Sequence, residues 1–204
     1  PAWAFRMVLS SLGKVLMVWK TEIVLANHAR GMCFASDKVH KMLVRAADTP
    51  KVLWVSPRPG VLHVQTPRPI RPELVGSTAY SIRAKEITYS FTAGDKVAVA
   101  GIVNATRQQR VPNGRGKRVP VPEDMLPEWF DRQLGPGMRI SSLNTQTLAP
   151  EKGSRPEGQM IHSRTGFLAV GQVTDPGVLV GLLETGIGRG KRFGCGLLTA
   201  KGLS

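Results

Sequence analysis

The chain of 204 residues is long enough for one domain or two small ones, and its hydrophobic content of 42% is enough for a packed core. Its 28 Lys and Arg residues against 14 Asp and Glu residues give a formal net charge of +14, which attracts polyanions. No run of about 18 apolar residues is present, so a membrane is a poorer candidate partner than nucleic acid.

The two cysteines, Cys33 and Cys195, are the only possible disulfide, and nothing else in the sequence indicates secretion. Reduced thiols in the cytoplasm are the simpler interpretation. Residues 1–16 lack an initial methionine and precede a Met17 that reads as a natural start. We interpret them as vector-derived or upstream sequence, although their apolar and basic mixture also faintly resembles a signal peptide.

The first part of the chain predicts a strand, a helix and a hairpin. Alternation over residues 19–25 predicts a strand with one buried face, with Lys20 on the other face. Ser36 is a candidate N-cap, and apolar residues at helical spacing predict a helix over residues 36–47. The β-rich runs that follow predict a hairpin with strands at 51–56 and 61–66.

The remaining elements repeat this order. A poorly supported helix is expected at 67–79, a strand at 84–91 and a boundary at 92–95. The second half predicts a strand at 96–104, a helix at 122–134, a hairpin over 159–174 about Thr165 and Gly166, a helix capped by Thr174 or Asp175, and a last strand at 197–200. The predicted fold class is α+β, with two tandem ferredoxin-like βαββαβ domains at 17–93 and 96–204.

Basic residues concentrate in two stretches. Residues 106–120 carry five cations and no acid among Gly and Pro residues, including Arg107 and Arg110. This stretch is either a solvated positive segment or a loop that follows phosphates. Around a second turn lie Lys152, Arg155 and Arg164. Because an A-form duplex is recognised through shape and phosphates, basic hairpins favour double-stranded RNA, and the low aromatic content of 6% disfavours base stacking by a sheet.

The stretch from Gly186 to Gly196 contains five glycines and three cations. Exposed backbone N–H groups beside cations make an anion-binding concavity, and phosphate is the natural anion. The spacing matches neither a P-loop nor a dinucleotide-binding turn. A flexible hairpin is the alternative interpretation. The candidate RNA-binding residues of this stretch are Gly188, Arg189, Lys191 and Arg192.

Of the four histidines, His40 falls at the edge of the helix stripe, where packing can hold the ring while its nitrogens face a groove, as proton transfer requires. An ordinary boundary histidine on an amphipathic helix is the alternative interpretation at this point. Asp37 lies one turn earlier and is expected to hydrogen-bond the ring and favour its charged form. Lys41 and Arg45 adjoin His40 and are expected to face phosphate. No histidine pair or carboxylate cluster has metal-ligand spacing, so no metal or cofactor is expected.

The chain resembles the CasE family, the CRISPR repeat-cleaving endoribonucleases of type I-E systems. Gly186-Ile187-Gly188, Lys191 and Gly194-Cys195-Gly196-Leu197-Leu198 resemble the family's C-terminal signature, and His40-Lys41-Met42-Leu43 matches its catalytic-histidine segment. The likeness extends more loosely from about residue 17 to the end. The chain departs from the pattern at Asp37, where the family often has tyrosine.

This resemblance implies a metal-independent endoribonuclease that cleaves a CRISPR repeat hairpin at the 3′ base of its stem. The products would be a 2′,3′-cyclic phosphate and a 5′-OH end. The resemblance also implies retention of the crRNA and assembly with other Cascade subunits. The alternatives are a non-catalytic RNA-hairpin-binding subunit, in which Asp37 marks lost activity, and a basic structural protein of the ribosome.

Overall fold

The computed structural model describes residues 14–110, 114, 116–155 and 158–203, with the side chains of 34, 151–155 and 158–161 outside this description. Its N-terminal half contains β1 (Leu16–Leu25), α1 (Ser36–Ala47), β2 (Leu53–Arg58), β3 (Val61–Thr66), α2 (Pro72–Val75) and β4 (Ala79–Tyr89). Short 3₁₀ segments occupy Asn27–Phe34 and Gly76–Thr78. The four strands form an antiparallel sheet in the order β2-β3-β1-β4.

The C-terminal half contains β5 (Lys96–Val103), β6 (Thr106–Gln109), β7 (Lys117–Pro120), α3 (Leu126–Leu134), β8 (Met138–Arg155), β9 (Gly158–Val173), α4 (Pro176–Thr185) and β10 (Leu198–Gly202). Further 3₁₀ segments lie at Glu123–Met125 and Lys191–Phe193. The main sheet has the order β10-β5-β9-β8, while β6 and β7 pair separately.

Both halves therefore have the same topology. In each, the first strand lies between the third and fourth, and the second strand lies at the edge beside the third. This is the arrangement of a βαββαβ unit, so the predicted tandem ferredoxin-like fold is confirmed. The predicted boundary at 92–95 falls between β4 and β5, and a division into separate domains there stays a prediction.

The strand β1 packs on both sides of its sheet. Ile23 and Leu25 lie in the core beneath α1, whereas Leu16 and Val18 join the core of the C-terminal half. The second face was expected to be polar and exposed. Lys20, on that face, is instead partly buried, and its Nζ donates a hydrogen bond of 2.8 Å to the Leu198 carbonyl oxygen.

Side chains also tie the halves together by hydrogen bonds to backbone oxygens. Gln65 Nε2 donates to the Leu183 oxygen at 2.7 Å, and Arg164 Nη2 donates to the Ser56 oxygen at 2.7 Å. A buried carbonyl needs such a donor, because losing it costs about 1–3 kcal/mol. The relative position of the two sheets is thus set by polar contacts as well as by apolar packing.

The predicted hairpin about Thr165 and Gly166 is wrong. Both residues lie inside β9, where Thr165 pairs with Val103 of β5 and the opposite edge of β9 pairs with β8. A Thr-Gly pair is typical of a turn, but glycine within a strand also permits close backbone approach. At Gly171 a Cβ atom would collide with the Arg139 carbonyl oxygen, so the close packing of β8 on β9 accounts for a glycine in this strand.

Three smaller expectations also change. The helix α1 begins at Ser36 itself, and its N-cap Ala35 makes no side-chain capping bond. The poorly supported helix at 67–79 is reduced to four residues followed by a 3₁₀ turn. The basic stretch at 106–120 contains the paired strands β6 and β7.

The predicted cap at Asp175 is confirmed, because its Oδ1 accepts a hydrogen bond of 3.0 Å from the Val178 N–H.

Candidate active site

The helix α1 presents His40 at the edge of its buried face. Val39, Leu43 and Ala46 are completely buried against the N-terminal sheet, as their spacing predicts. His40 is half-buried next to this stripe, while Lys41 is exposed. The core contacts of the helix therefore hold the imidazole in place and leave the neighbouring cation in solvent.

The segment from Gly186 to Gly196, which we call the glycine loop, connects α4 to β10. Its five glycines all have positive φ. Three of them lie against close neighbours: a Cβ at Gly186 would collide with the Gly196 carbonyl oxygen, one at Gly196 would lie 2.7 Å from the Ile187 carbonyl oxygen, and one at Gly194 would lie 3.0 Å from the Trp54 ring. Between them a 3₁₀ turn, Lys191–Phe193, carries two cations. The loop is a folded backbone structure that fixes where these cations lie.

The glycine loop and α1 meet at one cavity of about 730 Å³, which we call the His40 cavity. Basic side chains from two distant parts of the sequence, residues 40–51 and 191–192, line it: His40, Lys41, Arg45, Lys51, Lys191 and Arg192. Val44 and Leu53 form apolar parts of the wall, and Glu184 contributes a carboxylate to the lining. The tertiary structure thus combines the histidine helix with the glycine loop, which the sequence left as two separate candidates.

The electrostatic environment lowers the pKa of His40. Burial is the largest cause, the positive charge of Arg192 is the second, and the negative charge of Asp37 acts in the opposite direction. Burial also lowers the pKa of Lys191. At neutral pH the imidazole is therefore mainly uncharged and able to accept a proton.

Asp37 has a weaker influence than the sequence predicts. No hydrogen bond joins Asp37 to His40 among the described residues, and His40 Nδ1 is buried without a hydrogen-bond partner there. The carboxylate still raises the His40 pKa through its charge, but burial and Arg192 outweigh it. The expected direction of the Asp37 charge effect, toward the imidazolium, is therefore present, whereas the expected hydrogen bond is not found among the described residues.

A second cavity of about 680 Å³ lies on the other side of the glycine loop, and we call it the Asn104 cavity. Lys191 and Arg192 line both cavities. In the wall of the second one, Asn104 Nδ2 donates to His162 Nδ1 at 3.1 Å, and the His162 ring stacks on Phe193 with 4.3 Å between centroids. These contacts fasten the 3₁₀ turn of the loop to β9.

The loop is also held by its backbone at Asn104. Residue Arg189 forms a β-bridge with Asn104, at the end of β5. Further along, the Gly196 N–H donates to the Ile102 oxygen at 2.7 Å. Gly188 and Arg189, both predicted to bind RNA, line the Asn104 cavity and lie outside the lining of the His40 cavity.

The other predicted RNA contacts lie elsewhere. Arg164 is half-buried and bonded to the Ser56 oxygen, so its guanidinium joins the two halves. Arg107 donates to the Met125 sulfur at 3.1 Å, and Arg110 is exposed beyond β6. Lys152 and Arg155 belong to the backbone of β8, but their side chains lie outside the described residues.

The lining of the two cavities also contains polar residues that were not among the predicted site residues, including Lys51, Asn104, Arg118 and His162. Arg118 lies in the recognised basic stretch, and His162 is one of the four histidines weighed for proton transfer. The residues next to Arg118 and Arg107 in the sequence do not show which of the two arginines lines a cavity, because this depends on the pairing of β6 with β7. Lys51 carries no signal in the sequence beyond its charge, whereas Asn104 lies in the run 103–107, which resembles a segment that follows the central strand in the CasE family.

Two further observations concern partners. Within the described ranges, no three His, Cys, Asp or Glu side chains are grouped as metal ligands. Across the same part of the chain, no helix is long and apolar enough to cross a membrane.

The family comparison covers most of the chain. The family model described as "CRISPR associated protein" matches residues 26–201, a range that begins directly after β1 and includes α1, the strands β2 to β9, the glycine loop and all but the last residue of β10. The chain belongs to this family. The resemblance in the histidine segment and the glycine loop is thus matched by a relationship over nearly the whole sequence.

Solved structures of CRISPR-associated proteins share the fold. Cse3 of Thermus thermophilus, in a structure with an RNA representing a pre-cleavage complex, has a TM-score of 0.77 at 21% identity, covering 91% of this chain and 100% of that one. Cas6e of Escherichia coli K-12 has a TM-score of 0.73 at 19% identity, covering 91% and 100%. A chain of a CRISPR RNA-guided surveillance complex has a TM-score of 0.69 at 17% identity, with the same coverage. Comparison with curated proteins gives no match.

Proposed function

We propose that this CRISPR-associated protein is an endoribonuclease that binds the stem-loop of CRISPR repeat RNA and cleaves it at the 3′ base of the stem. The observation that carries the proposal is the His40 cavity, where a largely neutral histidine lies among cations from α1 and the glycine loop. Family membership and the fold shared with Cse3, a named CRISPR endoribonuclease, support it.

The chemistry needs few protein groups because RNA carries its own nucleophile. The 2′-oxygen attacks the adjacent phosphorus in line, an O–P bond forms, and the bond from phosphorus to the 5′-oxygen breaks. The 2′-OH loses its proton and the departing 5′-oxygen gains one. The products are a 2′,3′-cyclic phosphate and a 5′-OH end, and no metal is required by this balance.

His40 is assigned to proton transfer, and its lowered pKa favours the role of base toward the 2′-OH. Lys41, Lys191 and Arg192 are assigned to stabilising the negative charge that develops on the phosphorane. Asp37 adjusts the charge of His40 and is a positioning residue. Arg45, Gly188 and Arg189 contribute to RNA binding, and Arg107, Arg110, Lys152, Arg155 and Arg164 stay predicted RNA contacts.

The proposed partners are the repeat hairpin and other subunits of a Cascade complex, since one structural neighbour is a chain of a CRISPR RNA-guided surveillance complex. We expect the protein to retain the crRNA after cleavage and to act in the cytoplasm. Both cysteines are buried, in agreement with an interior packing role.

The deciding experiment uses the labelled repeat hairpin of the host in EDTA, with a matched strand carrying a single 2′-deoxy substitution at the scissile position. Cleavage of the all-ribose strand alone, with a cyclic phosphate end identified by mass spectrometry, is the expected result. Cleavage of both strands would overturn the 2′-OH mechanism. Tight binding without cleavage would identify the alternative, a non-catalytic hairpin-binding subunit.

A further inference from the structure

The Asn104 cavity differs from the His40 cavity in the charges that line it. Its described lining contains four cations, Arg118, Arg189, Lys191 and Arg192, and no carboxylate. The His40 cavity, in contrast, includes Glu184. A concave surface lined by cations alone is complementary to phosphate, because Arg and Lys donate charge-assisted hydrogen bonds to its oxygens.

Arg118 reaches this cavity because of the register of β6 and β7. Arg118 pairs with Gln108, whereas Arg107 pairs with Val119. Since side chains alternate between the faces of a strand, Arg118 and Arg107 lie on opposite faces of the ribbon. The ribbon thus directs Arg118 to the glycine loop and Arg107 to Met125.

The wall of the Asn104 cavity contains buried side chains that are hydrogen-bonded to one another. Asn104 and His162 are both buried, with exposed fractions of 5% and 8%, and they are hydrogen-bonded to each other. Ser163 Oγ also donates to Asn104 Oδ1 at 3.3 Å. The cations of the glycine loop are therefore held by a packed polar base at the junction of β5 and β9.

The size of the cavity favours a single strand. A volume of about 680 Å³ lies within the range of small-molecule sites, roughly 300–1,000 Å³, and is too small to enclose both strands of a helix. Lys191 and Arg192 are shared with the His40 cavity, so a strand whose phosphate lies beside His40 reaches this second cavity next.

We propose that the Asn104 cavity is a subsite for the phosphate backbone of unpaired RNA that adjoins the cleaved phosphate, with Arg118 as the residue contributed by the β6–β7 ribbon. This inference rests on the proposed function, because it assumes that RNA is the ligand of the His40 cavity. It assigns the basic stretch a contact with the single-stranded flank, separate from any contact with the stem.

The test compares hairpins that differ only in their unpaired flanks. One carries a single unpaired nucleotide on each side of the stem, and two others carry several more on the 5′ or the 3′ side. All have the 2′-deoxy substitution at the scissile position, so that affinity is measured without cleavage. The proteins are the full chain, Arg118→Gln, and Arg132→Gln, whose exposed arginine on α3 pairs with Glu128 at 3.3 Å.

We expect a longer flank on one side to tighten binding to the unchanged protein by about tenfold. The slope of log affinity against log salt concentration should also become steeper, by about 0.7 for each added phosphate contact. Arg118→Gln should lose most of this gain and bind the short-flank hairpin as before. Arg132→Gln should keep the gain, which separates a local contact from a general loss of charge. Because Arg118 is exposed, its replacement should leave folding unchanged.

Equal affinity for short and long flanks would overturn the subsite, and so would an equal gain in the unchanged protein and Arg118→Gln. The failure of the proposed function has a different signature. In that case, the all-ribose short-flank hairpin would remain uncleaved by the unchanged protein. Cleavage of that hairpin without any flank effect would reject the subsite alone, and absence of RNA binding would reject both proposals.

Discussion

The helices α1 and α3 occupy equivalent places in two units of the same topology, yet their exposed faces differ. Each buries an apolar stripe against its own sheet. The exposed face of α1 carries Lys38, Lys41 and Arg45, whereas that of α3 carries Glu128, Asp131 and Arg132, with Glu128 and Arg132 paired at 3.3 Å. An equivalent position in the fold therefore does not make an equivalent site.

The glycine loop accounts for much of this difference. It starts at the end of α4 and passes Trp129 of α3, where a Cβ at Gly188 would lie 3.3 Å from the ring. It then crosses to the N-terminal half, where Gly194 packs on Trp54 and Arg192 reaches the surroundings of His40. The candidate site is thus formed where the loop of one unit meets the helix of the other.

The largest effect is expected from replacing the histidine on α1. His40→Ala should reduce the single-turnover cleavage rate by about 10²-fold or more, because general acid–base catalysis contributes about 10²–10⁴-fold. Affinity for the non-cleavable hairpin should change by less than about twofold, since the neighbouring cations remain. Gln133→Ala on α3 is the matched control and should cleave normally. A His40→Ala protein with an ordinary rate would remove His40 from the mechanism.

A second substitution examines the contact between the halves. Burial lowers the pKa of Lys20 to about 7. Below that pH the folded and unfolded states both bind the proton, but above it only the unfolded state keeps it, up to its ordinary pKa of about 10.4. The free energy of unfolding should therefore rise by about 2 kcal/mol from pH 6 to pH 9.

Lys20→Met removes this titration. Its free energy of unfolding, measured by urea denaturation, should therefore lack the rise that is due to Lys20 over the same pH range. Any change that remains comes from other titratable groups. Lys96→Met at the start of β5, where the lysine is exposed, is the control that should follow the unchanged protein. Parallel curves for Lys20→Met and the unchanged protein would show that Lys20 keeps its charge in the fold.

Arg192→Gln should sharpen the comparison by removing the contribution of the loop to α1. Loss of a positive charge relieves the repulsion that lowers the His40 pKa, so this pKa should rise. If His40 is the base, the rising limb of the pH–rate profile should move to higher pH. The rate on the plateau should fall by about tenfold, because one charged donor to the phosphorane is lost. A slower rate with an unmoved limb would indicate that Arg192 acts on the RNA alone.

The smallest effect is expected at Asp37. Asp37→Asn removes the charge that raises the His40 pKa, so the pKa should fall further, opposite to the change in Arg192→Gln. The plateau rate should change by less than about threefold, since Asp37 is only partly buried and such a partly solvated charge contributes less than about 1 kcal/mol. The His40 titration followed by NMR separates this from a structural effect. A shift upward would contradict the assigned electrostatics.

The elements that were predicted well depend on near neighbours in the sequence. The helix at residues 36–47 matches α1 because the spacing of Val39, Leu43 and Ala46 encodes a single buried stripe. The same reasoning failed at Thr165 and Gly166, since a turn-forming pair can lie within a strand when both neighbouring strands supply hydrogen bonds. It also failed at Lys20, because alternation shows which residues share a face but not whether a second sheet covers that face.

The sequence by itself determined the two candidate stretches, the histidine helix and the glycine loop, and the repeated order of strands and helices. The helix and the order of the elements follow from periodicities that extend over only a few residues, and the glycine loop follows from residue type. The choice of His40 within that helix follows from the resemblance to the CasE family. The tertiary structure alone decided that Arg192 lies near His40, that Arg118 and not Arg107 reaches the glycine loop, and that Arg164 bonds to Ser56. These pairs are far apart along the chain, and their contact depends on how two sheets pack, which no local pattern of residues specifies.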